Sequence, residues 1–329
     1  MHILVVGAAG MLGRKLSQQL VESATLGGGT IEKLTLVDIV APARPDFPGK
    51  VELHALDLSA PGVATDLIAG RPDVIFHLAA IVSGEAEADF EKGYRINLDG
   101  TRALLEAIRL AGAARPYCPR VVFTSSIAVF GTPFPDVIGD DHVLTPLTSY
   151  GTQKAIGELL LADYSRRGFL DGVGIRLPTI VIRPGRPNKA ASGFFSGILR
   201  EPLAGQEAVL PVSDAVRHWF ASPRAAIGFL LHAATMDTSA LGIRRSLNMP
   251  GISATVADEI AALQRTAGDD TVALIRREPD PLIEKIVAGW PRAFDPTRAL
   301  ALGFVGDASF DEIVRVYIED EPTGGRATP

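Results

Sequence analysis

Two rhythms of apolar and polar positions alternate along the first half of the chain. Short apolar runs have the length of buried strands: His2-Ile-Leu-Val-Val6, Lys33-Leu-Thr-Leu-Val-Asp38, Val51-Glu-Leu-His-Ala55, Asp73-Val-Ile-Phe-His77, Arg120-Val-Val-Phe-Thr124 and Val173-Gly-Ile-Arg-Leu177. Between them lie stretches with apolar residues three and four apart. One runs from Lys15 to Val21, one over about 90–111 with leucines 98, 104, 105 and 110, and one over 150–166 with Ile156, Leu159, Leu160 and Tyr164. Strands alternating with helices at this pace predict an α/β fold, a doubly wound parallel sheet with helices on both faces.

After Pro178 the rhythm breaks. Thr179 to Asn188 reads as a basic loop, Phe194–Arg200 as a short helix, Glu207–Pro211 as a strand and 222–234 as a helix. Two domains are expected. Residues 1–177 form the sheet, and residues 178–329 form a smaller mixed α/β domain from which some segments return to the first. The polar tail 321–329, which carries proline and glycine, is expected to be disordered.

Composition narrows the function classes. With 47% hydrophobic and 21% charged residues in 329, the chain is globular and long enough for one large domain or two ordinary ones. A net charge of −6 argues against nucleic acid or an anionic membrane as partner, so an anionic substrate must be met by local cations. A single cysteine, Cys118, excludes an intrachain disulfide and a cysteine metal cluster, and no metal site is expected. There is no charged leader, and no apolar run reaches the ~18–20 residues of a membrane span. A cytoplasmic location is the expectation.

The candidate chemistry sits at strand ends. Gly7-Ala-Ala-Gly10-Met-Leu-Gly13 joins the first strand to the first helix, where glycines let a backbone approach a pyrophosphate and a helix N-terminus attracts it. Asp38 ends the second strand and can accept from an adenosine ribose while repelling a 2′-phosphate, which selects NAD over NADP. No arginine follows it directly, Arg44 lying farther along. Asp57-Leu58 suits an adenine edge, although Asp57 could equally cap a helix ahead of Ser59-Ala-Pro61. His77 leads into the small residues Leu78-Ala-Ala80, which would let the backbone pass close to a cofactor. His77 itself reads as structural. Ser125 and Ser126 stand at the tip of the fifth strand. Tyr150 and Lys154 lie one helical turn apart, close enough for an ammonium to favour a phenolate and so make a base for an alcohol.

Gly7, Gly10, Gly13, Asp38, His77-Leu-Ala-Ala80, Asn97, Ser125-Ser126 and Tyr150-x-x-x-Lys154 together resemble the extended short-chain dehydrogenase/reductase superfamily, the NAD-dependent epimerase/dehydratase family. The resemblance implies a Rossmann domain followed by a substrate domain, with NAD as cofactor. It implies NAD contacts from Gly7, Gly10, Met11, Leu12, Asp38, Asp57, Leu58, Leu78, Ala79, Asn97, Ser125, Tyr150, Lys154 and Pro178. Sugar-nucleotide dehydratases of this family carry Thr-Asp-Glu at the fifth strand tip. Here Ser125-Ser126-Ile127 offers no carboxylate, so a dehydratase is not expected.

Longer stretches are similar to one subgroup, the D-erythronate dehydrogenases. They are Phe76 to Asp89, Thr148 to Asp171, Arg176-Leu-Pro-Thr-Ile180, Arg183-Pro-Gly with Pro187-Asn188, and Arg200 to Glu207. The resemblance implies oxidation of a four-carbon sugar acid at C2. Ser126 would hold the reacting hydroxyl, Tyr150 would remove its proton, and Lys154 would lower the tyrosine pKa. Ser126 falls on the family's catalytic serine, with Ser125 the alternative.

A sugar acid also needs a carboxylate clamp, and paired arginine donors match one. Arg183 is the first choice, ahead of Arg186 and Lys189, with Ser83 and Thr179 as neutral partners. Arg217 and His218 are weaker candidates. The helices near 90–111 and 150–166 are apolar on more than one face, which suits a homodimer. Two rivals remain open. One is a sugar-nucleotide epimerase with the same triad, and the other is an NAD-sensing module that has lost catalysis, although such modules usually lack the tyrosine or lysine kept here.

Overall fold

A computed structural model describes residues 1–185 and 192–321. Arg186, Pro187, Asn188, Lys189 and nearly all of the expected disordered tail lie outside them. The chain divides into two compact units. The first comprises Met1–Val129, Thr148–Arg176 and Ile227–Leu247, and the second Phe130–Leu147, Leu177–Ala226 and Asn248–Pro329. The division is not a single cut after residue 177: residues 130–147 fall in the second unit, and 227–247 return to the first.

The first unit is built on β1 (His2–Val6), β2 (Lys33–Asp38), β3 (Lys50–Ala55), β4 (Val74–His77), β5 (Arg120–Ser126), β6 (Asp171–Leu177) and β7 (Ser246–Asn248). They form one seven-stranded sheet in the order β7-β6-β5-β4-β1-β2-β3. Pairing from β3 through β2, β1 and β4 to β5 is parallel, with Ile3 beside Leu34 and Val74, and Val74 beside Arg120. The order reverses direction beside β1, and ligands of such sheets lie outside the carboxyl strand ends at that point. Helices α1 (Met11–Ser23), α2 (Val63–Ala69), α3 (Gly100–Ala114) and α4 (Ser149–Arg166) connect the strands. Leu67 and Ile68 of α2, Leu104, Leu105 and Ile108 of α3, and Leu161 of α4 pack with Leu4, Ile75, Val121 and Phe123 of the sheet in one buried cluster.

Three expectations change. The helix expected over 90–111 is broken: Phe90–Gly93 runs into a π-helical turn, Tyr94–Asp99, before α3 begins. The turn is bracketed by Gly93 and Gly100 and carries Asn97, whose amide is clasped to a neighbouring segment. Asp57 does not cap α2, which starts at Val63 after Gly62. It caps its own turn instead, accepting from the Ser59 N–H at 2.9 Å. The fifth strand extends through both serines, because Ser125 is anchored inward.

The second unit contains a three-stranded sheet in which Arg217–Ala221 pairs antiparallel with Ile252–Thr255 and parallel with Thr179–Ile180. Neither Arg217–Ala221 nor Thr179–Ile180 was expected as a strand. Helices Gly193–Leu203, Val256–Ala267 and Phe310–Asp320 bury Phe195, Ile198, Leu199, Ile260, Leu263 and Ile313 with Phe220 in its core. No helix among the described residues is long and apolar enough to cross a membrane.

Candidate active site

The glycine turn after β1 is fixed by sterics at two positions and left bare at the third. Gly7 has φ +95°, and a Cβ there would stand 2.6 Å from the Ala79 nitrogen. At Gly13 a Cβ would meet the Gly7 carbonyl oxygen at 2.1 Å. These two glycines let the turn close against β4 and α1. Gly10 is different: its Cβ would meet only the Gly7 oxygen, at 3.4 Å, so the fold does not require a glycine there. Gly10 is also the N-cap of α1 and caps no N–H with a side chain. A bare, uncapped helix start at a sheet switch point fits a pyrophosphate, for which Gly10, Met11 and Leu12 would be the holding residues.

The acidic candidates carry structural work as well. Asp38 Oδ2 accepts from the Ala9 N–H at 2.9 Å and so pins the glycine turn. Asp57 accepts from Ser59 through one oxygen and from Arg95 at 2.5 Å through the other. Leu58 is buried in the core. Leu78 donates its N–H to the Val6 oxygen at 2.8 Å, which brings Leu78 and Ala79 over Gly7. Asn97, 2% exposed, accepts from the Ile81 N–H at 2.9 Å and donates to the Ile81 oxygen at 3.2 Å and to Gln153 Oε1 at 2.8 Å.

Helix α4 presents the tyrosine and lysine. Thr148 starts it, its hydroxyl accepting from the Gly151 N–H at 3.1 Å. Gly157 lies so close to Phe123 that a Cβ would reach the ring at 2.7 Å, and this brings the helix down onto β5. Lys154, 3% exposed, then donates to the Thr124 carbonyl at 2.7 Å, with its ammonium 4.9 Å from the Phe123 ring centre and 5.8 Å from that of Tyr150. Burial pulls the Lys154 pKa down to about 8, against the opposing charge of Glu158. Tyr150 and Ser126 are half-buried.

The two serines have different surroundings. Ser125, 2% exposed, donates to Glu158 Oε1 at 2.5 Å. Glu158 also accepts from Arg176 at 2.9–3.2 Å in a pair almost wholly shielded from water. Among the described residues Ser126 Oγ only receives the Ala128 N–H, at 3.2 Å, which leaves its hydroxyl proton for another acceptor. Sequence reading missed the Ser125–Glu158–Arg176 cluster. Its signal was present, because Glu158 continues the Tyr150, Lys154 spacing by one more turn.

Pro178, Thr179 and Arg183 belong to the second unit, whereas Ser83 begins a short helix of the first. Arg183 donates to the Ile180 oxygen at 2.9 Å and to Ser192 Oγ at 3.3 Å. His218 stacks on Phe195, its Nδ1 facing the Pro291 carbonyl at 2.9 Å and its Nε2 facing the Thr179 hydroxyl at 2.7 Å. The carbonyl requires a proton on Nδ1, so neutral Nε2 accepts from Thr179. Arg217 donates to the Ser253 carbonyl at 3.0 Å on the exposed edge of its strand.

Residues 3–239 match the family described as the NAD dependent epimerase/dehydratase family. The chain belongs to that family. NAD is therefore its cofactor, in agreement with the bare turn at Gly10. The chain is 50% identical over 324 residues to a D-erythronate dehydrogenase of Cupriavidus necator, covering 97% of this chain and 98% of that one. It is 42% identical over 319 residues to a D-erythronate dehydrogenase of Haemophilus influenzae, covering 97% and 99%. A crystal structure described as a nucleoside-diphosphate-sugar epimerase from Agrobacterium tumefaciens superposes with a TM-score of 0.97 at 63% identity, covering 98% of this chain and 95% of that one.

Proposed function

We propose that the protein oxidises the C2 hydroxyl of a small sugar acid with NAD, D-erythronate to 2-dehydro-D-erythronate being the first reaction to test. The observation that carries this reading is 50% and 42% identity, over 97% of this chain in each case, to D-erythronate dehydrogenases of two genera. Ser126 orients the substrate hydroxyl and Tyr150 Oη takes its proton. Lys154, fixed by the Thr124 carbonyl, favours the phenolate. NAD, when bound, supplies the hydride acceptor. Ser126 is preferred to Ser125 because the Ser125 hydroxyl is already committed to Glu158. Arg183 is the carboxylate clamp to test first, with Thr179 and Ser83 as the neutral candidates.

The enzyme acts in the cytoplasm as a homodimer. Leu110 on α3 and Leu159 on α4, 51% and 65% exposed, offer the apolar face that a second copy would cover.

A sugar-nucleotide epimerase is the second reading, favoured by the description of the Agrobacterium structure. NADH formation is measured with NAD and NADP against four- and five-carbon sugar acids, with UDP-sugars as controls. The dehydrogenase reading expects NADH from D-erythronate with NAD and little reaction with NADP. No NADH from any acid, together with interconversion of a UDP-hexose, would overturn it in favour of epimerisation.

A further inference from the structure

Five hydrogen bonds and one peptide link close a ring inside the first unit. Lys154 Nζ donates to the Thr124 carbonyl at 2.7 Å, and the Thr124 hydroxyl donates to the His77 carbonyl at 3.1 Å. His77 Nε2 meets the Thr101 hydroxyl at 2.8 Å, and that hydroxyl donates to the Asn97 carbonyl at 2.7 Å. The one Thr101 proton is thereby used, so His77 must carry its own proton on Nε2. Asn97 Nδ2 then donates to Gln153 Oε1 at 2.8 Å, and Gln153 is bonded through the backbone to Lys154. Every link donates in the same sense around the ring.

All six residues are buried, from 0% exposure at Gln153 to 7% at Thr124, so water cannot replace a broken link cheaply. The ring ties four elements together: β4, β5, the π-helical turn with α3, and α4. β5 holds the Lys154 ammonium directly, and the remaining links brace β5 and α4 against each other. A lysine ammonium on a four-carbon stem is otherwise free to rotate its three donors. The charged and titratable groups bearing on Lys154 are Tyr150 and Glu158 on α4 and His77 on β4, and Arg176 of β6 is paired with Glu158. His77 is neutral at ordinary pH, because burial and then the Lys154 charge hold its pKa down to about 3.

We propose that Thr101 and His77 are positioning residues for Lys154, acting through this ring to hold the ammonium where it favours the Tyr150 phenolate. Neither touches the reacting atoms in this account. The inference rests on the Tyr150–Lys154 chemistry of the proposed function, but not on the identity of the substrate.

The test is the acid limb of kcat/KM against pH for the full-length enzyme with NAD. Thr101→Val keeps the side-chain volume and removes both links at that position, whereas Thr101→Ser restores them. Thr124→Val opens the ring on its other side. Both valine variants are expected to move the limb upward by about half a unit to one unit, since a displaced cation lowers the phenol pKa less. They should also lower kcat by about 10- to 100-fold, and Thr101→Ser should recover both. Valine variants with lower melting temperatures but an unmoved limb would reduce the ring to scaffolding and overturn the proposal. If Thr101→Val does not fold, Thr124→Val reads the same limb. If the wild type turns over a nucleotide sugar and no acid, the functional reading falls, and the ring is judged on the limb of that reaction.

Discussion

Acidification from about pH 7 to about pH 5 is expected to cost the fold on the order of 2 kcal/mol at each of two buried histidines. His77 is 2% exposed, and burial followed by the Lys154 charge lowers its pKa from 6.5 to about 3. His218 is 3% exposed, and burial lowers it to about 4, with the Pro291 carbonyl opposing and the Arg183 charge assisting. Both folded values lie below the unfolded one, so the unfolded chain binds more protons throughout the window. Stability is therefore complete above 6.5, falls as pH drops towards the folded values, and levels off beneath them. At pH 5 each unfolded ring is charged and each folded ring neutral, a gap of about 1.5 pH units, or roughly 2 kcal/mol.

The assay for His218 is urea unfolding followed by tryptophan fluorescence, because both tryptophans, Trp219 and Trp290, lie in the second unit and the His218 ring centre is 5.3 Å from that of Trp290. The wild type should lose about 2 kcal/mol more between the two pH values than His218→Gln, which keeps a donor and an acceptor but cannot titrate. Equal losses in the two proteins would refute the argument. Far-ultraviolet circular dichroism of His77→Gln makes the same comparison for the first unit.

Tyr150→Phe should lower kcat by about 10²- to 10⁴-fold while calorimetry finds NAD affinity nearly unchanged; retained turnover would remove the phenol from the chemistry. Gly13→Ala places a methyl 2.1 Å from the Gly7 oxygen and 2.7 Å from Ala8 Cα, both backbone atoms that cannot swing aside. It should lower the melting temperature and abolish the rise in that temperature that NAD gives the wild type. Glu158→Gln leaves the Arg176 guanidinium buried without its counter-charge, and chemical denaturation should register a loss of about 3–5 kcal/mol.

The first unit was legible because parallel strands buried on both faces read as continuous apolar runs, and helices between them keep their own period. β7 escaped notice for the same reason inverted: at three residues, Ser246–Asn248 is too short to show any period. Arg217–Ala221 was hidden by its composition, since Arg217 and His218 invited a reading as ligands while the strand depends on pairing with residues 32 positions away or more. At the candidate site, the placement of Tyr150 and Lys154 on one helix followed from spacing alone. What separates Ser125 from Ser126 did not, because it depends on a carboxylate brought across from α4 and on an arginine from β6. The broken helix at Tyr94–Asp99 leaves no trace in an apolar pattern. It coincides with a side-chain amide bonded to backbone 16 residues earlier.

The interleaving of the two units bears on how the chain is made. The first unit lacks its last segment until Leu247 has been synthesised, and the second, opened at Phe130, takes its last segment from beyond Asn248. A ribosome needs on the order of ten seconds to travel from Arg176 to Leu247. During that interval β6 waits at the edge of the sheet without its β7 neighbour, exposing an unpaired strand to other nascent chains. Slow codons or low temperature between those points would lengthen the exposure. A gene fusion or crossover at a single point after residue 177 would separate the β7 segment from the sheet it completes.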